Sequence, residues 1–294
     1  MPAHIQPFFD PASATFTYVV HGEGDARCAI IDPVLGLDVR HGRLLTEPAD
    51  RVAGYVRAQG LAVEWLLETH VHADHVSASA YLKGQLGGRI GISRHIVEVQ
   101  RVFGETFNLA GLRGPAGAAA GADFDHLFGD DEPFAIGSLP ATTMHVPGHT
   151  PADIAYRIDG DAVFVGDTLF HPDVGTARCD FPGGDATRLY RSIRRLLSLP
   201  PETRLFLCHD YPPAGRPQVR WQTDVLTQRR ANVHVRDDMS MEDFVAMRTA
   251  RDATLALPNL YYPSVQINIR AGRMPEAEDN GTAYLKVPLA LHSA

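Results

Sequence analysis

An apolar run, Trp65-Leu66-Leu67, reads as a buried strand and is followed at once by Thr69-His70-Val71-His72-Ala73-Asp74-His75. No other feature constrains the fold as much. Imidazole and carboxylate donors suit zinc, iron or manganese, and a strand end feeding a turn lets alternate side chains converge on one point. Among the 14 histidines of the chain, any one taken singly reads as a surface or core residue. Three imidazoles and a carboxylate crowded together without a cation would have to be desolvated jointly, which is costly. The segment therefore reads as a metal-binding loop.

The bulk properties narrow the partners. At 294 residues the chain has room for one large α/β domain or two small ones. Its composition, 45% hydrophobic and 21% charged, is that of an ordinary globular protein. A net charge of -8 supplies no electrostatic footprint for nucleic acid or an anionic membrane surface, so neither is expected as a partner. The start, Met1-Pro2-Ala3-His4, lacks a basic segment and apolar core, and no stretch approaches the ~18 apolar residues of a membrane span. Cys28, Cys179 and Cys208 are odd in number and widely spaced, which fits a reducing compartment. A cytoplasmic protein is expected.

Along the chain, Phe16 to Val20 and Cys28 to Ile31 read as an opening hairpin around His21-Gly22-Glu23-Gly24-Asp25. Asp50 to Gln59 has helical spacing closed by Gly60, Glu64 to Glu68 is the strand before the histidine run, Ser77 to Gln85 is a helix, and Arg89 to Ile92 is a short strand. Gly104 to Asp125, nearly uncharged and without a period, reads as a surface loop, a mobile flap near the site being the other reading. Phe134 to Ile136, Ala141 to Val146, Ile154 to Ile158 and Ala162 to Val165 form a second run of strands. Asp185 to Leu197 is strongly helical, Leu205 to Cys208 is a buried strand, and Val219 to Arg230 and Met241 to Arg251 predict helices. Nothing reads as a linker. One domain over 1–294 is expected, a four-layer αββα sandwich with residues 212–294 as a C-terminal helical and strand extension packed on it.

Pro147-Gly148-His149-Thr150, Gly166-Asp167-Thr168 and His209-Asp210 each follow an apolar strand, so each candidate ligand falls at a strand's carboxyl end. A single site at one edge of a sheet sandwich requires that recurring position. From the ligands alone, a binuclear hydrolase that polarises a carbonyl and generates hydroxide is the first choice.

The pattern resembles the metallo-β-lactamase superfamily, whose HxHxDH motif is matched by His70, His72, Asp74 and His75. In two-metal members the resemblance implies a first site of His70, His72 and His149, a second of Asp74, His75 and His209, and Asp167 bridging them. The flanking residues change the ranking. Leu67 to His75, then Gly175-Thr176-Ala177-Arg178-Cys179-Asp180-Phe181, then Cys208-His209-Asp210-Tyr211 are similar to the persulfide dioxygenase (sulfur dioxygenase) branch, with the similarity running on to Asn280-Gly281-Thr282-Ala283-Tyr284-Leu285. The related hydroxyacylglutathione hydrolases of the glyoxalase II type usually carry a GGCGR-type sequence at Arg178-Cys179-Asp180-Phe181 and a longer basic C-terminus; neither is present.

This resemblance implies one Fe(II) per chain held by His70, His149 and Asp167, with glutathione persulfide and O2 as substrates and sulfite and glutathione as products. Two histidines and one carboxylate on one face of iron leave positions for substrate and dioxygen. His72, Asp74, His75 and His209 then orient ligands and handle protons. Arg178 and Tyr211 are the candidates for binding the substrate's carboxylates. The alternative is a hydrolase of glutathione thioesters with two zinc ions. Cys179 reads as a small buried residue, Cys28 and Cys208 as core, and Asp32, before Pro33, as a turn residue. The assembly state is left open, a homodimer being one arrangement the sequence allows.

Overall fold

The computed structural model describes residues 3–112, 120–160 and 162–289. Its N-terminal half runs β1 (Ala3–Asp10), β2 (Thr15–Gly22), β3 (Arg27–Ile31), β4 (Val34–Asp38), β5 (Arg43–Leu45), α1 (Glu47–Ala58), β6 (Ala62–Leu67), β7 (Val76–Ser77), α2 (Ser79–Leu86), β8 (Arg89–Ser93), α3 (Ile96–Thr106) and β9 (His126–Phe128). The remainder runs β10 (Pro133–Ile136), β11 (Leu139–His145), β12 (Ile154–Ile158), β13 (Ala162–Phe164), α4 (Ala186–Leu196), β14 (Arg204–Phe206), β15 (Gln222–Asp224), α5 (Val225–Ala231), α6 (Met241–Asp252) and α7 (Tyr261–Asn268). One sheet has the order β1-β2-β3-β6-β8-β9, the other β10-β11-β12-β13-β14-β15, and a small third sheet is β5-β4-β7.

Strand alternation builds the layers. Tyr18, Val20, Ala29 and Ile31 point between the two large sheets, where they meet Ile154, Tyr156, Ile158 and Phe206. Their neighbours Val19, Cys28 and Ile30 point outward into a core with Val52 and Val56 of α1, Leu82 of α2, Val99 and Phe103 of α3, and Val265 of α7. On the far side, Val163, Leu205 and Leu207 pack against Leu189 and Ile193 of α4 and Phe244 of α6. Both sheets are covered on both faces, giving the αββα sandwich that the sequence predicts.

Several local expectations shift. α1 starts at Glu47 because Pro48 suits the first turn of a helix and Glu47 and Asp50 suit its N-terminal charge. Val219 to Arg230 is not one helix: β15 pairs with β14, and Asp224, whose carboxylate accepts from Thr227 N–H, caps the shorter α5. Besides the short strands β4, β5, β7 and β9, three elements have no counterpart in the sequence reading. β1 is an edge strand broken in pattern by Pro7, as edges tolerate. α3 carries Val97, Val99 and Val102, whose branched side chains mask a helical period. α7 holds Pro263 in its first turn. Of the Gly104 to Asp125 segment, Gly104 to Thr106 closes α3, and residues 113–119 lie outside the described residues.

Candidate metal centre

The four ligand-bearing turns meet at one edge of the sandwich. His70 follows β6, His149 follows β11, Asp167 lies in a short 3-10 turn after β13, and His209 follows β14. Gly166 lets two of these turns abut. It has φ of +53°, and a Cβ there would fall 2.8 Å from the Thr69 side chain.

Hydrogen bonds fix which ring nitrogen each imidazole presents. Thr69 Oγ1 donates to Asp32 Oδ2 at 2.9 Å, so it accepts from His70 Nδ1 at 3.0 Å and His70 Nε2 stays bare. His149 Nδ1 donates to the Arg178 carbonyl at 2.7 Å, again leaving Nε2. His72 is turned the other way, with Nε2 donating to Asp32 Oδ1 at 3.1 Å. Its Nδ1 is buried without a partner. Thr15 Oγ1 lies 3.3 Å from His75 Nδ1 and 3.2 Å from His209 Nδ1.

The bare atoms surround the Asp167 carboxylate. Oδ2 is 3.9 Å from His70 Nε2 and 3.7 Å from His149 Nε2, while Oδ1 is 3.4 Å from His209 Nε2. His209 Nε2 is also 3.7 Å from Asp74 Oδ2. His72 Nδ1, His75 Nε2, His209 Nε2 and Asp167 Oδ1 are all buried without a hydrogen-bond partner among the described residues. Each such orphan costs about 1–3 kcal/mol, and a cation accepting their lone pairs would remove that cost. His70–His149–Asp167 and His72–Asp74–His75 each bring three ligand atoms within 4.8 Å of one another and could hold a metal. The residues fit a bound metal ion.

Electrostatics favour the ligand forms. Burial, reinforced by neighbouring imidazoles, holds His70 and His72 well below the ordinary histidine range, so both are neutral donors. Burial alone would raise Asp74, but His209 and His75 outweigh it and keep the carboxylate ionised. Behind the loop sit Asp32 and Glu68, which sequence reading left as a turn residue and a strand end. Asp32 does occupy the turn after β3, with φ of +48°, yet it is buried and receives both the N–H and the hydroxyl of Thr69. Glu68, pushed up to about 8 by burial and by Asp32, accepts from the Ser77 and Ser79 hydroxyls. Only a three-dimensional contact identifies these two as supports, since neither lies at a ligand spacing.

The edge opens into a cavity of about 460 Å³ lined by Asp74, His149, Asp167, Phe170, Arg178, Phe181, Tyr211, Arg248 and Arg251, among others. Both sequence candidates for substrate contact are there. Tyr211 is 46% exposed and stacks on His209 with ring centres 5.6 Å apart. Arg178 is already engaged: it forms a two-pronged pair with Asp180 at 2.6 and 2.7 Å and donates to the Ala256 carbonyl at 2.6 Å. Arg248 is buried against Asp252. Arg251, which the sequence did not single out, lines the cavity and has no ion pair among the described residues. Cys179, Cys28 and Cys208 are buried and unpaired, as expected of packed thiols.

An imidazole and carboxylate cluster with open cavity access, set at the edge of an αββα sandwich, defines a metal-dependent enzyme. The chain belongs to the metallo-beta-lactamase superfamily, whose family model matches residues 10–209. It is 54% identical to a probable metallo-hydrolase of Burkholderia pseudomallei, over 97% of this chain and 98% of that protein. It is 45% identical to Glyoxylase B2 of Dictyostelium discoideum, over 98% and 97%, and 26% identical to the mitochondrial persulfide dioxygenase ETHE1 of Homo sapiens, over 92% and 89%. Among solved structures, ETHE1 from Myxococcus xanthus superposes with a TM-score of 0.71 at 28% identity, covering 92% of this chain and all of that one. No helix among the described residues is long and apolar enough to cross a membrane.

Proposed function

We propose that this chain is a persulfide dioxygenase that converts glutathione persulfide, dioxygen and water to glutathione, sulfite and two protons. The observation that carries the reading is the trio His70, His149 and Asp167, in which Asp167 Oδ2 lies 3.9 Å from His70 Nε2 and 3.7 Å from His149 Nε2, with His149 and Asp167 lining the cavity. Two histidines and one carboxylate suit a single Fe(II), which would supply open positions for a soft sulfur donor and for dioxygen. The likeness to the human persulfide dioxygenase and to the Myxococcus ETHE1 structure supports the same reading.

The chain's own groups then divide the work. His149 is held by the Arg178 carbonyl and His70 by Thr69, so neither ring can swing away from its neighbour. Phe170 and Phe181 give the cavity an apolar wall beside the trio, which limits water there. His209 takes up and returns protons: burial lowers its affinity, but the carboxylates of Asp167 and Asp74 outweigh that and the net shift is upward. Arg251 pairs with a substrate carboxylate, since its guanidinium is uncommitted; Arg178 shapes the wall and Tyr211 lends an edge of ring and hydroxyl. Three free thiols suit a reducing compartment such as the cytoplasm.

One observation favours a second reading. Asp167 Oδ1 faces His209 while Oδ2 faces His70 and His149, as a carboxylate shared by two zinc ions would, and the Burkholderia relative is named a metallo-hydrolase. Metal content and oxygen uptake decide between them, measured on protein purified anaerobically and given glutathione persulfide. About one iron per chain with oxygen consumed and sulfite released is expected. Two zinc ions per chain, no oxygen uptake and turnover of a glutathione thioester would replace the first reading with the second.

A further inference from the structure

The ligand-bearing loop from His70 to His75 has almost no secondary structure of its own, so its main-chain polar groups need partners from elsewhere. Thr69, at its start, is tied to Asp32. At its end the tie comes from a distant part of the chain. Asn268, the last residue of α7, donates from Nδ2 to the His72 carbonyl at 2.8 Å and to the His75 carbonyl at 2.8 Å, and its Oδ1 accepts from Ser77 N–H at 2.7 Å. Both amide hydrogens and the carbonyl of one buried side chain are thereby used on two residues of the loop and on Ser77 just after it.

The end of α7 is itself rigidly seated. Ile267 and Ile269 are fully buried, Gln100 of α3 donates to the Ile269 carbonyl at 2.8 Å, and Gly272 passes so close to the loop that a Cβ would fall 2.6 Å from the Ser77 carbonyl. α7 lies outside the 10–209 segment matched by the family model, which contains every candidate ligand.

We propose that Asn268 is a positioning residue for the metal centre: by holding the carbonyls of His72 and His75 it sets the main-chain path that aims both imidazoles, so the C-terminal helix is part of the metal-binding unit. Ligands need placement to within roughly 0.5 Å for full affinity, and a loop released at one end loses that placement while its residues remain. The inference goes beyond the choice of reaction: with two zinc ions His72 and His75 are themselves ligands, and with one iron they share the loop of His70, whose main-chain path the same tie holds.

The test titrates zinc into the metal-free full chain against a competing chelator, and follows thermal unfolding of the metal-free form separately. Asn268→Ala and Asn268→Asp both lack the two donors, and each is expected to bind zinc about 10–100-fold more weakly. Gln100→Leu is the control: it loosens the same helix end without touching the loop, so it should lower the unfolding temperature and leave zinc affinity within about three-fold. Zinc affinity that tracks unfolding temperature equally across all three variants, or is unchanged in the Asn268 variants, overturns the proposal. Should the Asn268 variants fail to fold, hydrogen exchange on the unaltered chain decides. Zinc should slow exchange at Ile269 and Gly272 about ten-fold more than in α1, because coupling between two sites is reciprocal; equal slowing overturns the proposal.

Discussion

Thr15 Oγ1 stands between two imidazoles, 3.3 Å from His75 Nδ1 and 3.2 Å from His209 Nδ1, and 3.4 Å from Asp74 Oδ2. One hydroxyl has one proton to give and two lone pairs. Donation to Asp74 leaves it accepting from both rings, so both carry hydrogen on Nδ1 and present bare Nε2. Thr15→Val keeps the shape and removes the hydroxyl. Turnover with glutathione persulfide is expected to fall about ten-fold with the first-trio iron retained, because only the Asp74, His75 and His209 side loses its orientation. Thr15→Ser should recover most of the rate. Iron content and sulfite release measure both parts, and loss of iron in Thr15→Val would contradict this division of the site.

His209→Ala separates the two functional readings more sharply. With a single iron on His70, His149 and Asp167, the variant should keep about one iron per chain while losing most activity. With two zinc ions, the same change empties one position and halves the metal content. Asp167→Ala has no such value, since Asp167 faces both halves of the cluster and its loss strips metal in either case.

The sandwich and the clustering of the candidate ligands are legible in the sequence because both rest on local pattern. Period-two apolar strands and the ligand at each strand's end are written in consecutive residues. What was hidden rests on contacts made only in the fold. Asp32, Glu68, Thr15 and Asn268 carry no spacing signal; each is an ordinary polar residue until folding sets it against the loop. α7 was hidden by Pro263, which a first turn accepts but which a pattern search treats as a break. Arg178 lines the cavity as a substrate contact would, but its surroundings are not written in the sequence. Its position beside the metal loop suggests a substrate contact, but sequence does not reveal that Asp180, two residues on, occupies its guanidinium.

That contrast between arginines gives a kinetic prediction. Arg251→Ala should raise KM for glutathione persulfide about ten-fold or more with kcat little changed, the loss of one charge-assisted hydrogen bond to a carboxylate. Arg178→Ala should behave differently. Removing it frees Asp180 and the Ala256 carbonyl and loosens the loop whose carbonyl orients His149, so kcat should fall. Steady-state kinetics on both variants check the split; a rise in KM confined to Arg178→Ala would transfer the carboxylate contact to Arg178.

His234 supplies the pH dependence. Its Nδ1 accepts the Thr176 N–H at 3.1 Å, and a Cβ at Gly175 would collide with the ring, so the imidazole is wedged beneath the cavity wall in its neutral form. Burial, followed by the charges of Arg248 and Arg251, pushes it down to about 4 from an ordinary 6.5. Between those values the unfolded chain binds the proton and the folded chain does not. Stability from this group is therefore fully present above pH 6.5 and lost as pH falls towards 4. After allowance for partial exposure the loss is about 2 kcal/mol. His234→Gln, whose side-chain carbonyl can take the same N–H, should unfold in urea with a shallower pH dependence over that window. Matching slopes for the variant and the unaltered chain would show that the acid sensitivity arises at another group.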